Sequence, residues 1–96
     1  SNISIGRYKL DLNSKKISYN NTKLDLTEQE VKIIFYLSNS DVAVKIEKLQ
    51  KDIWGYGENL ETHTVETHIY RLRKKFLNIF KDDQFILSVK SSYFIK

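Results

Sequence analysis

The sequence contains no cysteine, proline or methionine, and it has three glycines. Without cysteine there are no disulfides and no thiolate metal site, which is compatible with a reducing compartment. The absence of proline argues against disordered segments. No apolar run approaches the roughly 18 residues of a membrane span, and no signal peptide is visible. Since there is no initiator methionine, we expect either a processed chain or a domain from a longer protein, with Ser1-Asn2 as a candidate tag remnant.

The composition predicts one domain, spanning residues 1–96, with a small core. Of the 96 residues, 41% are hydrophobic and 12% are aromatic, so aromatic rings supply much of the core volume. Lysine and arginine number 16 against 12 acidic residues, which gives a net charge of +4. A modest basic excess favours a nucleic acid or another polyanion as partner, although ordinary solubilising lysines would produce it equally well.

Hydrophobic residues in the first part of the chain alternate with polar ones at a period of two, as in half-buried strands. Gly6, Asn13-Ser14 and Asn20-Asn21 separate four short runs. Because asparagine tolerates the left-handed backbone of tight turns, we predict four antiparallel strands. The alternating residues are Ile3, Ile5, Tyr8, Leu10, Leu12, Ile17, Tyr19, Leu24 and Leu26.

A helical pattern begins at Thr27. Thr27 and Glu30 have the spacing of a capping box, and Leu26 and Val31 that of a hydrophobic staple. The apolar run that follows predicts a buried first helix, ending near residues 38–41.

A second helix is predicted from about Ile46 to Trp54. Lys45 occupies its cap position, although lysine is a poor cap, and Gly55 is a natural stop.

Residues 62–76, THTVETHIYRLRKKF, predict a third helix, capped by Thr62, with two contrasting faces. At about 100° per residue, one face collects Val65, Ile69, Leu72 and Phe76. The opposite face carries His63, Thr67, Tyr70, Arg71 and Lys74. Such a helix suits a DNA major groove, although most amphipathic helices with a basic outer face are only solvated surface helices.

The end of the chain predicts a β-hairpin. Phe85, Leu87 and Val89 alternate, a polar break follows, and Tyr93-Phe94-Ile95 complete the pattern, with Lys90 at the tip. The order of elements indicates an α+β fold: a winged helix-turn-helix with an N-terminal four-stranded antiparallel sheet, three helices and a C-terminal hairpin wing. In that fold the last helix, here about residues 63–76, enters the major groove, and the wing near residue 90 lies toward the DNA backbone or the neighbouring minor groove.

Other chemistry finds little support in the sequence. His63 and His68 lie about 140° apart on a helix and therefore cannot chelate one ion together, so no metal site is expected. No phosphate-cradling glycine loop or catalytic grouping is visible, so we expect neither a cofactor nor an enzyme. The lysines of the second helix either solvate it or meet phosphates; they are Lys45, Lys48 and Lys51.

Three segments, in this order and spacing, resemble the C-terminal DNA-binding domain of OmpR/PhoB-type two-component response regulators. They are LTEQE at 26–30, DIWG at 52–55 and, most specifically, TVETHIYRLRKK at 64–75. The similarity covers essentially the whole chain. It departs from the family pattern at His63 and Tyr70, where arginine is common, and in a wing turn without glycine.

The resemblance implies sequence-specific binding of duplex DNA by a cytoplasmic transcription regulator. It places Glu66, Thr67, Tyr70 and Arg71 at base-contacting positions, with Arg71 the best candidate for gripping guanine. It places Trp54, His63, Thr64, His68, Arg73, Lys74, Lys75 and Lys90 at backbone-contacting or helix-anchoring positions. With phosphate neutralisation by four cations, Arg73, Lys74, Lys75 and Lys90, log K should fall with log salt at a slope of about −3 to −4.

The resemblance also implies partners. An N-terminal receiver domain of the same protein would lie outside this chain, and the domain, monomeric when isolated, would bind direct-repeat half-sites as a dimer or tandem pair. The loop from Gly55 to Glu61 resembles a loop that faces RNA polymerase, with Tyr56, Glu58 and Asn59 as its candidate contacts. A winged-helix module that binds polymerase without binding specific DNA is therefore the alternative hypothesis.

Overall fold

In the computed structural model, which describes residues 1–55 and 61–96, the chain opens with four antiparallel strands in sequence order. Their hydrophobic residues form a continuous row across the sheet, in which Ile3 pairs with Leu10, Leu10 with Ile17 and Ile17 with Leu24. This row faces the core, because alternate residues of a strand point to the same side. The four predicted strands are confirmed as β1 (Asn2–Ile5), β2 (Tyr8–Asp11), β3 (Lys16–Tyr19) and β4 (Thr22–Asp25).

The first helix, α1 (Glu28–Ser38), begins where the capping box predicted it. The Thr27 hydroxyl accepts a hydrogen bond from the Glu30 amide at 3.2 Å, and Glu30 Oε1 accepts one from the Thr27 amide at 2.8 Å. Val31, Ile34 and other apolar residues of the helix are buried, whereas Phe35 is exposed. The helix is therefore largely, but not entirely, enclosed by the core.

A short strand that the sequence did not predict, β5 (Val44–Lys45), leads into the second helix. The helix α2 (Ile46–Leu49) continues without a break as a π-helical segment (Gln50–Trp54), and its bounds agree with the prediction. Lys45 is its N-cap and makes no capping hydrogen bond through its side chain. The Ile46 amide instead donates to the carbonyl oxygen of Ser91 at 3.1 Å. The C-terminal hairpin, distant in sequence, thus supplies an acceptor for an amide at the start of this helix.

The third helix, α3 (Thr62–Phe80), differs from the prediction at both ends. Its N-cap is Glu61, not Thr62, and the Glu61 carbonyl accepts from the Thr64 amide at 3.0 Å. The helix also runs past Phe76 to Phe80, whose ring packs 5.2 Å from that of Phe76. This aromatic burial favours an added turn, which ends at Lys81 in the left-handed conformation.

The predicted C-terminal hairpin is formed by β6 (Leu87–Val89) and β7 (Ser92–Phe94). β7 is the central strand of a second sheet, because it also pairs with β5. Lys90 and Ser91 form the two-residue turn, and both have positive φ, as a type I′ hairpin turn requires. We call this hairpin, residues 87–94, the wing.

The alternation predicted for Phe85, Leu87 and Val89 is only partly observed. Phe85 is buried, but so is its neighbour Ile86, whereas Val89 is exposed. Phe85 and Ile86 precede β6 and follow an irregular path, so the alternation does not extend to them, and Val89, at the end of β6, borders the exposed turn at Lys90 and Ser91. Strand periodicity applies only where the backbone is a strand.

The core lies between the N-terminal sheet and the helices. An aromatic cluster fills one end, with Phe76 and Phe85 stacked at 4.0 Å and the Tyr8 ring edge-on to both. The Tyr8 hydroxyl donates to Asp82 at 2.5 Å, so its polar group is satisfied. None of the helices in the described residues combines the length and the apolar character that crossing a membrane requires.

Candidate nucleic-acid interface

The two faces of α3 are confirmed. Its predicted apolar stripe is completely withdrawn from solvent: Val65, Ile69, Leu72 and Phe76 are each at most 1% exposed. On the other side, Glu66 and Arg71 are exposed and Tyr70 is 62% exposed. Burying these four side chains fixes the rotation of the helix about its axis, because turning it would move apolar surface into water. The outward-facing residues are therefore held in place by the core.

The four predicted base-contacting residues differ in their solvent exposure and in their hydrogen bonds within the protein. Glu66, Tyr70 and Arg71 stand in solvent. Thr67 is half-buried, and its hydroxyl donates to the His63 carbonyl at 2.9 Å. Its proton is thus committed to the helix backbone, which leaves Thr67 an oxygen lone pair and a methyl group to offer a ligand.

Tyr70 and Lys74 form a pair on the exposed face of α3. The Lys74 ammonium lies 5.6 Å from the centre of the Tyr70 ring and 3.5 Å from its hydroxyl oxygen. One helical turn separates the two residues, so the ammonium lies beside the ring. The pair presents an aromatic plane with a positive charge at its edge.

Trp54, at the end of the π-helical segment, contacts α3 through His68. Their rings meet edge-to-face with centroids 5.0 Å apart, and both residues are half-buried. His68 Nδ1 lies 2.8 Å from the carbonyl oxygen of Thr64. Because a carbonyl only accepts, Nδ1 carries the proton and Nε2 is the acceptor in the neutral ring. His63 is exposed and Thr64 half-buried, one turn or less from this contact.

Arg73 is half-buried and directed at the wing. Its Nε–H donates to the Ile86 carbonyl at 2.9 Å, and its guanidinium lies 5.6 Å from the centre of the Tyr93 ring. Burial raises the pKa of Tyr93, and the charge of Glu66 raises it further, while that of Arg73 lowers it. The structure therefore gives Arg73 partners within the protein.

Lys75 lies on a different side of α3 and pairs with Glu30. Its ammonium is 2.6 Å from Glu30 Oε1 and 3.3 Å from the Asp25 carbonyl oxygen. Glu30 is only 3% exposed, so Lys75 supplies the charge partner that a buried carboxylate requires. The sequence predicted the capping role of Glu30 but not this ion pair, and no signal in the sequence joins residues 45 positions apart.

The lysines of the second helix are not equivalent. Lys45 and Lys51 are exposed, whereas Lys48 pairs with Asp52 at 3.1 Å. Asp52 also accepts a hydrogen bond from Tyr36, which with Lys48 keeps its pKa below the usual value. The charge of Lys48 is therefore partly compensated within the protein.

Lys90, at the tip of the wing, is exposed. The predicted polymerase-facing residues Tyr56, Glu58 and Asn59 lie outside the described residues. Within residues 1–55 and 61–96, no three histidine or acidic side chains come together as metal ligands would.

A helix whose inner stripe is locked in the core, and whose polar outer face adjoins a β-hairpin, defines a winged helix-turn-helix domain. Residues 21–93 match the family described as "Transcriptional regulatory protein, C terminal". The chain belongs to this family, and the predicted OmpR/PhoB-type DNA-binding effector domain of a response regulator is confirmed at the level of the family.

Similar proteins agree with this assignment. The chain is 29% identical over 96 residues to the "Probable transcriptional regulator ycf27" of Galdieria sulphuraria, covering 97% of this chain and 38% of the relative. It is 28% identical over 89 residues to the "Response regulator ArlR" of Staphylococcus aureus, covering 92% and 40%. The chain thus spans less than half the length of these curated relatives.

A solved structure shows the same fold. The DNA-binding domain of the response regulator AdeR, in complex with an intercistronic region, superimposes with a TM-score of 0.77 at 21% identity, covering 94% of this chain and 93% of that one.

Proposed function

We propose that α3 lies in the major groove of duplex DNA and that Glu66, Thr67, Tyr70 and Arg71 contact base edges. The observation that carries the proposal is the division of α3 into a fully buried apolar stripe and an exposed polar face. A rigidly seated helix is what sequence recognition requires, because bidentate contacts to a base edge depend on precise positions. The net charge of +4 supports binding to a polyanion.

Each base-contacting residue has a chemical preference. The exposed guanidinium of Arg71 matches the O6 and N7 acceptors of guanine, and the carboxylate of Glu66 matches the N4 donor of cytosine. Tyr70 offers a ring face, which suits the thymine methyl group, and the Lys74 ammonium beside that ring would contact a phosphate. Thr67 contributes a methyl contact or accepts a hydrogen bond, since its hydroxyl proton is already engaged.

We propose that the DNA backbone is contacted by six residues: Trp54, His63, Thr64, His68, Lys74 and Lys90. Trp54, Thr64 and His68 lie together near the start of α3, and Lys90 is at the wing tip. Arg73 and Lys75 are not among these proposed backbone contacts, because their charged groups lie against Tyr93 and Glu30 within the protein. With two lysine contacts instead of four cations, the expected slope of log K against log salt becomes about −2.

The experiment begins with selection of preferred duplexes from a random DNA pool. Arg71→Ala is then compared with wild type on the selected site and on variants of that site at each position. We expect a loss of about 1–3 kcal/mol, confined to one guanine position where the variant no longer discriminates. Arg7→Ala is the matched control, since Arg7 lies in the turn between β1 and β2, beside Tyr8 and Tyr19. Equal weakening on every sequence would show that Arg71 reads no base.

We further propose that the whole protein is a cytoplasmic transcription regulator, because a regulator of this family acts where the chromosome lies. A receiver domain would account for the greater length of its relatives. Pairing on direct repeats and contact with RNA polymerase belong to the same proposal, as does the absence of catalysis. A domain that bound polymerase but showed no salt-dependent preference for any duplex would support the alternative, a protein-binding module.

A further inference from the structure

We propose that Arg73 is a positioning residue that fixes the wing against α3 and so holds Lys90 at a DNA phosphate. The inference rests on the proposed function. It concerns a contact between two elements of the interface, and it assigns Arg73 no contact with DNA. Arg73 would act on binding only through the position of the wing.

The geometry of Arg73 carries the inference. Its Nε–H donates to the Ile86 carbonyl, immediately before β6, while its guanidinium carbon lies over the Tyr93 ring of β7, 5.6 Å from the ring centre. One side chain thus contacts both the residue that leads into β6 and a residue of β7. A planar guanidinium can donate in its plane and stack on a ring at the same time, which the point charge of lysine cannot do.

Backbone hydrogen bonds connect the wing to a different helix. Val44 pairs with Tyr93 and Lys45 with Ser92, and the Ile46 amide donates to the Ser91 carbonyl. These bonds tie the wing to α2. Arg73 ties it to α3, so the angle between the wing and the recognition helix depends on this residue.

A phosphate contact by Arg73 is less favourable. Moving the guanidinium to DNA would remove the donor of the Ile86 carbonyl and uncover the Tyr93 ring. Lys74, the next residue, is exposed, and its one described contact, with Tyr70, lies on the same outward face of α3. We therefore expect Lys74 to contact DNA and Arg73 to contact the wing.

The test compares charge-conserving Arg73→Lys with Lys90→Ala and with the double variant. Affinity for the selected duplex is measured over a range of salt concentrations. We expect each single variant to lose about three- to tenfold in affinity and to reduce the salt slope by about 0.9, although Arg73→Lys keeps its charge. In the Arg73→Lys background, Lys90→Ala should reduce the affinity by less than about a further twofold, because the contact between Lys90 and the phosphate is already lost.

A second measurement, amide hydrogen exchange in the free domain, does not involve DNA. We expect the wing amides of Val89 and Ser92 to exchange about threefold faster or more in Arg73→Lys, with the core of α3 unchanged. Arg7→Lys is the matched control, because Arg7 also lies over a tyrosine ring, that of Tyr19, at 4.7 Å, while its ion-pair partner is Asp82 and not a wing residue.

The outcomes separate the hypotheses. An unchanged salt slope in Arg73→Lys, or losses that multiply in the double variant, would overturn the positioning role. If Arg73→Lys does not fold, Tyr93→Leu removes the other half of the contact and should give the same slope and coupling. If the wild-type domain prefers no duplex, the proposed function fails, and hydrogen exchange alone decides whether Arg73 holds the wing.

Discussion

The buried carboxylate of Glu30 allows a quantitative prediction about what joins α1 to α3. Replacing Glu30 by glutamine keeps the shape of the side chain and an oxygen that can still accept from the Thr27 amide. It removes the charge that faces the Lys75 ammonium at 2.6 Å. The variant therefore separates the ion pair from the capping box.

The size of the loss follows from the contacts. Hydrogen bonds to charged groups contribute about 1.5–3 kcal/mol and neutral ones about 0.5–1.5 kcal/mol, so the exchange should cost about 1–2 kcal/mol. The penalty of about 3–5 kcal/mol for breaking a fully buried pair does not apply. The Lys75 side chain is 35% exposed and can turn into water. For a domain of this size, the melting temperature should fall by about 5–15 °C.

Urea unfolding followed by circular dichroism measures the free energy directly. Lys75→Met provides the second corner of a double-mutant cycle with Glu30→Gln, and we expect a coupling of about 1 kcal/mol. Losses that simply add, to within about 0.3 kcal/mol, would refute the ion pair as a stabilising contact. Lys75→Met should leave the salt slope of DNA binding unchanged, and a fall of about 0.9 would instead identify Lys75 as a phosphate contact.

Three further predictions concern the turns, the aromatic cluster and pH. Ser91→Gly should stabilise the domain to urea by about 0.5–1 kcal/mol, because glycine adopts the positive φ of the wing turn without strain, and no gain would argue against that turn. Phe80→Ala should cost about 1–3 kcal/mol in the same assay, since its half-buried ring packs on Tyr8 and Phe76, and a negligible loss would place Phe80 outside the core. Burial, and then the hydrogen bond to Asp82, raise the pKa of Tyr8 above 10.0. A raised pKa in the folded state stabilises the protein below about pH 10, and this stabilisation is lost as the pH rises through the folded-state pKa. The free energy of unfolding, measured in urea, should therefore fall less steeply at alkaline pH in Tyr8→Phe than in wild type. The same fall in both proteins would contradict this prediction.

Local chemistry made much of the fold predictable. The capping box at Thr27 and Glu30 located the start of α1 because both partners lie within four residues of each other. The alternation of Ile3, Leu10 and Ile17 located the N-terminal strands because each hairpin closes on its neighbour. The rotation of α3 followed from the same logic, since its stripe repeats along one helix.

Contacts between distant residues account for what the sequence did not predict. β5 has two residues, too few to show a period, and it exists because β7 pairs with it. A helical wheel shows which way Arg73 and Lys75 point but not what the neighbouring element offers them. That neighbour proved to be a carbonyl and a ring for one, and a buried carboxylate for the other.

The pairing of β5 with β7 also constrains how the domain can be assembled during synthesis. The N-terminal sheet closes through successive hairpins, so it can form while later residues are still being translated. Val44 must wait for Tyr93, about 50 residues later, before the second sheet can close. The half that carries the proposed DNA interface is thus finished last, and a nascent chain that stops before Ser92 would have a completed N-terminal sheet but no wing.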